Sequence, residues 1–378
     1  MNNCYLDAEA VITFFRMTGR KHIFITGSRG SGKSHLVNNM LKHMADSFNL
    51  LQSHRTDTPQ VVIKSNLIAD NKEFVIGVPR TSGINPASKG NNMTIIEDGF
   101  INCAIPAIET HLDTTPERLF VIDELGYLES SCIPFQKAVE KLLDNSHVLA
   151  VIRKQSTEFL NRICNRKDVL VIDIDSTFET LSCIIMASGM SKRFGSNKLI
   201  TDFNGHSLFE NAVSISHFAG FGETLAVTRH DEVVRICEDK NIHFLRHDMP
   251  YRNEMVWLGV TRILSDNASS GNLQPQGILF LPSDQPLITK TSLQLLCLTF
   301  LYYGDKICRL SYHENAGSPC IFPAKYYDEL LNLPEKKGGG FLTKKYPAQV
   351  VLVPVRDEYE LYDIDTPDDI TRLLKYLG

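Results

Sequence analysis

The chain has a single tryptophan, Trp257, in 378 residues. Its nine cysteines are scattered without a C-x-x-C pair, and no histidine pair has zinc spacing. That excludes a readable disulfide framework or zinc site and points to reduced thiols in a cytoplasmic protein. No apolar run reaches the length of a membrane span; the segment 293–303 is apolar but short and predicts a buried helix. Met1 to Tyr5 lack a basic region followed by an apolar stretch, so no signal peptide is expected. Positive charge is not in excess: 39 Lys plus Arg against 44 Asp plus Glu leave a net charge of −5. A dedicated nucleic-acid binder would usually be basic, so neither nucleic acid nor membrane is expected as a partner. Fixed-period repeats and low-complexity tracts are missing too.

What is present is ordinary globular composition, 43% hydrophobic and 22% charged, at a length that suits two α/β domains. Short β-rich runs at 22–26, 61–63, 74–76, 119–122, 148–152 and 169–172 alternate with helical stretches at 34–48 and 134–145. The polar segment 79–92 reads as a loop. Such alternation predicts a mostly parallel sheet covered on both faces. The pattern breaks at 173–180, which divides the chain into 1–178 and 179–378. Strands then recur at 182–186, 224–228, 242–245, 277–281, 307–311 and 350–355, so the second half is again α/β.

Two loops of different design carry the chemistry. Gly27-Ser28-Arg29-Gly30-Ser31-Gly32-Lys33-Ser34 follows a β-rich run and opens a helical stretch. In that context the G-x-x-x-x-G-K-S spacing is specific for a phosphate loop. Its backbone N–H groups wrap phosphate oxygens at a helix N-terminus, Lys33 reaches the β and γ phosphates, and Ser34 is a Mg²⁺ ligand. Asp123 and Glu124 close a buried-type strand, the place for a Mg²⁺-associated aspartate beside a water-orienting glutamate. Phe120 to Glu129 and Ala150 to Lys154 then resemble a small nucleoside-triphosphatase family of thermophiles and vertebrates, which has an Asp-Glu-Ile/Leu-Gly-x-Met/Leu-Glu segment after its second motif strand. The resemblance covers about 20–175 and is looser over 50–115. It implies a P-loop NTPase sheet, Mg²⁺, and ATP or GTP as the substrate.

The second loop is Ala187-Ser188-Gly189-Met190-Ser191-Lys192-Arg193-Phe194-Gly195-Ser196-Asn197-Lys198. Small residues let backbone approach base and phosphates, and Arg193 and Lys198 neutralise a triphosphate and departing pyrophosphate. Further on, the run 277–281 delivers Asp284 at a strand end, suited to hold Mg²⁺. In Asp363-Ile364-Asp365-Thr366-Pro367-Asp368-Asp369, Thr366 and Pro367 make a good helix start. That leaves Asp365 as the second metal ligand, with Asp363 as the alternative.

The loop resembles the Leu-Ala-Ala/Ser-Gly-x-Ser-x-Arg-x-Gly-x-x-Lys signature of MobA-like nucleotidyltransferases, with Met186 for the usual Leu. Asp284-Gln285-Pro286, Gly317-Ser318-Pro319-Cys320-Ile321-Phe322-Pro323 and the Asp-Ile-Asp-Thr-Pro end are most similar to molybdenum cofactor cytidylyltransferase. The match covers about 182–378 and departs at Ser318, at Asn253 to Gly259, and at Lys336-Lys337-Gly338-Gly339-Gly340. It implies a Rossmann-like sheet of the nucleotide-diphospho-sugar transferase type. It also implies CTP as nucleotide, a molybdopterin-type cofactor as acceptor, and a molybdoenzyme or its maturation factor as partner. A sugar or alditol phosphate acceptor, or a nucleotide-gated cofactor carrier without turnover, are the rival readings. The Lys336 to Gly340 loop has the composition to hold an acceptor phosphate through backbone N–H groups. Cys308 and Cys320 read as core residues in strands.

Overall fold

The computed structural model describes residues 6–44, 47–80, 93–191, 193–271 and 273–377. Residues 81–92 of the expected loop, and Lys192 of the second motif, lie outside these. Contacts divide the chain into Val11–Asp175 and a second unit made of Met1–Ala10 with Ser176–Gly378. In the second unit the Asp7 amide donates to Gln294 Oε1 at 2.7 Å, and Thr291 Oγ1 donates to Asp7 Oδ1 at 3.1 Å.

The first unit carries an eight-stranded sheet in the order β5-β4-β3-β2-β6-β7-β1-β8. The strands are β1 (His22–Gly27), β2 (Phe48–Arg55), β3 (Val61–Ser65), β4 (Phe74–Pro79), β5 (Met93–Ile95), β6 (Leu119–Leu125), β7 (His147–Arg153) and β8 (Val169–Asp173). Strands β2, β6, β7, β1 and β8 run parallel, and β3 to β5 extend them antiparallel. Near-continuous apolar runs such as β1 and β7 are buried on both faces, as parallel strands require. The helix expected over 34–48 is Lys33–Met44, with Leu36, Val37, Met40 and Leu41 inward, and Phe48 instead opens β2. The inward face of β2 is Asn49 and Leu51, and a buried asparagine masks the two-residue alternation. Asn49 is satisfied there by His111 Nδ1 and Thr115 Oγ1, both at 2.8 Å.

The second unit carries a seven-stranded sheet, β13-β12-β9-β14-β16-β15-β17, and a two-stranded ribbon, β10-β11. These are β9 (Leu181–Ala187), β10 (Asp202–Phe203), β11 (His206–Ser207), β12 (Glu223–Thr228), β13 (His243–Arg246), β14 (Gly277–Pro282), β15 (Ile307–Tyr312), β16 (Asn315–Pro323) and β17 (Val350–Pro354). The chain leaves β9 toward β12 and β13, then returns to place β14 on the other side of β9. That reversal is a topological switch point, and ligands bind outside the carboxyl ends of strands there. Strand β16 is legible in the sequence only around Cys320; its start from Asn315 is not, because Gly317 and Pro319 interrupt it. Its register slips between Arg309 and Ser311, so these breakers fall in an irregularity where ladder donors are not needed. The apolar segment 293–303 lies in a buried helix, Lys290–Tyr303, as expected. Among the described residues no helix is long and apolar enough to cross a membrane.

Candidate active sites

In the first unit β1 ends at Gly27 and the next helix starts at Lys33. Gly30 and Gly32 have φ of 78° and 95°, which side-chain-bearing residues resist. The loop curls around Lys33, whose buried Nζ donates to Gly27 O at 2.8 Å and to Ser28 O at 2.7 Å. Ser34 Oγ lies 3.4 Å from Asp123 Oδ1 at the end of β6. Burial, and then the neighbouring Glu124 charge, hold the Asp123 carboxyl above its ordinary range. A hydroxyl facing a charge-crowded carboxylate fits a divalent cation by its donor chemistry. Glu124 falls on a bulge, because the ladder passes from Asp123↔Val151 to Leu125↔Ile152. Its side chain pairs with Arg153 at the end of β7. A cleft of about 980 Å³ is lined by the loop from Gly27 to Ser34, by Glu124, and by Arg153 and Lys154.

Two contributors here were not read from the sequence. Glu129 is buried, accepts from Gly126 N at 2.9 Å and Ser53 Oγ at 3.2 Å, and is pushed up in pKa by burial. Its place in the Asp-Glu-Leu-Gly-Tyr-Leu-Glu run was the available signal. Asp175 Oδ2 accepts from Ser28 N and Ser28 Oγ, both at 2.6 Å, and no motif marked it.

In the second unit the register pairs Pro282 with Met186, which sets Ser283 and Asp284 beside the loop that follows β9. Ser283 Oγ ties the two strand ends by donating to Met186 O at 2.8 Å. Gln285 does the positioning that its motif hides. Its Nε2 donates to Asp363 Oδ1 at 2.8 Å and to Leu361 O at 3.2 Å, while Ile364 N donates to Asp284 O at 2.9 Å. Ile364 is fully buried among Phe203, Leu208 and Leu373, which fixes the segment between the two aspartates. Asp369 caps the following helix, accepting from Thr366 N at 2.7 Å and Asp365 N at 3.1 Å. The helix start therefore uses Asp369 and leaves the Asp365 carboxylate for the site.

Lys198 and Arg193 meet these carboxylates. Buried Lys198 Nζ lies 2.8 Å from Asp284 Oδ2, 3.3 Å from Asp365 Oδ1 and 2.6 Å from Ile364 O. Arg193 Nη2 lies 2.6 Å from Asp365 Oδ2. An ammonium bridging two carboxylates is a stand-in cation, so the pair fits a metal ion. Asp363 is held instead by Gln285.

Of the three small loop residues, Ala187 is fully buried and accepts from Thr228 Oγ1 at 2.9 Å. Ser188 Oγ donates to Val227 O at 2.8 Å and sits 2.7 Å from His247 Nε2, which therefore carries the proton. The Ser188 side chain thus anchors the loop to the core, and open space lies over Gly189. Lys336 N donates to Asn253 Oδ1 at 2.9 Å, joining two of the segments that depart from the family pattern. Burial pushes the Cys308 and Cys320 thiols up to about 12, which keeps them protonated.

The first unit is thus a phosphate-loop α/β domain, and the second is a switch-point nucleotide domain in which a strand-end aspartate meets a carboxylate from ahead of the last helix. Residues 22–179 match the family model described as NTPase, and residues 183–350 match the MobA-like NTP transferase domain. The chain carries both domains in that order. It is similar to nucleoside-triphosphatase THEP1 of Thermotoga sp. (strain RQ2), 26% identical over 155 residues, 40% of this chain and 86% of that protein. It is also similar to a probable molybdenum cofactor guanylyltransferase of Bacillus velezensis, 22% identical over 200 residues, 51% of this chain and 94% of that one. Among solved structures, Rv0371c of Mycobacterium tuberculosis H37Rv aligns at TM-score 0.45 and 20% identity, over 52% of this chain and 98% of that chain.

Proposed function

We propose that the C-terminal half transfers CMP from CTP to the phosphate of a molybdopterin-type cofactor, releasing pyrophosphate, and that the N-terminal half hydrolyses ATP or GTP. The observation that carries the transferase reading is the meeting of Arg193, Lys198, Asp284 and Asp365 beside the loop after β9. An acceptor phosphate oxygen attacks the α phosphorus in line while the bond to pyrophosphate breaks, so positioning and electrostatics suffice. Arg193 and Lys198 neutralise the α phosphate and the departing pyrophosphate. Asp284 and Asp365 are the residues that would hold Mg²⁺, which when bound supplies charge neutralisation to the triphosphate. In the N-terminal half Ser34 and Asp123 would hold it, Lys33 binds phosphate, and Glu124 orients water. The acceptor rests on the resemblance of the Asp-Gln-Pro and Asp-Ile-Asp-Thr-Pro segments, and delivery to a molybdoenzyme or its maturation factor follows from that acceptor. GTP is the second reading for the base, because the Bacillus velezensis relative is described as a guanylyltransferase.

The test is a screen of CTP and GTP against molybdopterin and sugar or alditol phosphates, read as pyrophosphate release. Asp284→Ala is expected to lower that release by about 1000-fold or more while inorganic phosphate release stays at the parent level. Unchanged pyrophosphate release in the variant would overturn the site. Tight nucleotide binding without any release would favour a carrier.

A further inference from the structure

The Asp-Glu-Leu-Gly-Tyr-Leu-Glu run builds more than a metal carboxylate. Arg153 ends β7 directly beside the phosphate loop, because Gly27 and Arg153 are register partners on adjoining strands. Its guanidinium pairs with Glu124, the residue that the β6 bulge leaves without an opposite number. The stem of Arg153 passes over Gly126. A Cβ at that position would lie 2.7 Å from Arg153 Cδ and 3.3 Å from its Cγ and Nε. Buried Glu129 holds the same turn from beneath through the Gly126 amide at 2.9 Å. So Glu124 faces Arg153, Gly126 clears its path, and Glu129 fixes the turn. Arg153 and Glu124 both line the cleft that contains Gly32, Lys33 and Ser34.

We propose that Arg153 is the γ-phosphate-reading residue of the N-terminal site and holds Glu124 until a triphosphate arrives. This rests on the hydrolytic reading of that half. A guanidinium fork matches phosphate oxygens as well as carboxylate, and a terminal phosphate carries more charge than the single carboxylate it replaces. When Arg153 turns to the γ phosphate, Glu124 is released to take a proton from the attacking water. The water oxygen bonds to the γ phosphorus as the bond from that phosphorus to the β–γ bridging oxygen breaks. Nucleoside diphosphate and inorganic phosphate leave, and the Glu124 proton returns to solvent. A diphosphate offers no γ oxygen, so the Arg153–Glu124 pair stays closed over it.

The experiment uses the full chain carrying Asp284→Ala, so that inorganic phosphate reports the N-terminal site. Arg153→Ala and Arg153→Lys are compared with that parent for turnover of ATP and GTP. Affinities for a β,γ-imido triphosphate analogue and for the diphosphate are measured alongside. Arg153→Ala is expected to lower kcat about 100-fold or more and to weaken the analogue about 10-fold, with diphosphate affinity within about 2-fold of the parent. Arg153→Lys regains part of the analogue affinity and little of kcat, because an ammonium lacks the fork. A kcat within about 3-fold of the parent, or equal loss of triphosphate and diphosphate affinity, overturns the proposal. If Arg153→Ala does not fold, the same thresholds decide it on Arg153→Gln. A parent that releases no phosphate refutes the hydrolytic reading instead, and the analogue-against-diphosphate ratio still tests Arg153.

Discussion

Lys33 and Lys198 serve the two phosphate loops, yet they rest on different kinds of partner. Lys33 Nζ sits on the main-chain oxygens of Gly27 and Ser28 at 2.8 and 2.7 Å. Lys198 Nζ sits between the carboxylates of Asp284 and Asp365 at 2.8 and 3.3 Å. Carbonyls are neutral dipoles, so Lys33 exchanges them for phosphate oxygens without stranding a charge. Lys198 cannot leave without baring the Asp284 carboxylate, since Arg193 stays on Asp365 alone, and an uncompensated partly buried charge is costly. The first lysine can take an anion without giving up a charged partner, whereas the cation-suited pair of that site, Ser34 and Asp123, does not touch its ammonium. On the proposed reading, the second takes an anion that arrives with a cation to take over the Asp284 carboxylate.

Metal removal is the strongest way to break this comparison. With excess EDTA, CTP affinity of the C-terminal site, measured calorimetrically in a Lys33→Ala background, is expected to fall about 100-fold or more. Triphosphate affinity of the N-terminal site in an Asp284→Ala background should fall about 10-fold or less. Equal losses would dissolve the distinction between the two lysines.

Acid should separate the two units next. His22 is fully buried in the first unit, and burial lowers its pKa to about 4, with Asp168 partly opposing. Val148 N donates to its Nδ1 at 3.2 Å, a bond that a proton on that nitrogen would remove. The folded pKa lies below the unfolded value. The stability is therefore fully present above pH 6.5 and is lost as pH falls toward 4. Between pH 7 and 5 the N-terminal unit should lose about 2 kcal/mol. Trp257 lies in the other unit, so its fluorescence reports that unit's unfolding. Far-UV melts should shift with acid more than the Trp257 transition does, and His22→Gln should flatten the shift. A Trp257 transition that moves as far as the first one would count against this.

The smallest expected effect is local. Gly126→Ala should push on Arg153, cost about 1 kcal/mol, slow phosphate release, and leave pyrophosphate release unchanged. Parallel phosphate and pyrophosphate assays check it; a matching decline in both would mean the turn is not private to the first site.

How much of this was legible depends on what each residue type announces. Glycines at Gly27, Gly30 and Gly32, with Lys33 and Ser34 behind them, mark a phosphate loop because few other backbones need that spacing. Asp284 and Asp365 stand out because one carboxylate lies just past an apolar run and the other just ahead of a helix start. Strand β2 was hidden because its inward face includes Asn49, whose partners come from residues 62 and 66 positions away. The start of β16, ahead of Cys320, was hidden by Gly317 and Pro319 at a register slip. The tie from Gln285 to Asp363 was hidden because a hydrogen bond across 78 positions leaves no local pattern.

By itself, the sequence determined that two α/β nucleotide domains follow one another, since alternating apolar runs and loop chemistry are local properties of the chain. Only the tertiary structure decided which groups share a site. Strand register set Arg153 beside Gly27, and the switch point set Asp284 beside the loop after β9. Burial of Ile364 set Asp365 against Lys198. Those pairings depend on sheet order and on which side chains the core accepts, and distance in space is not written in spacing along the chain.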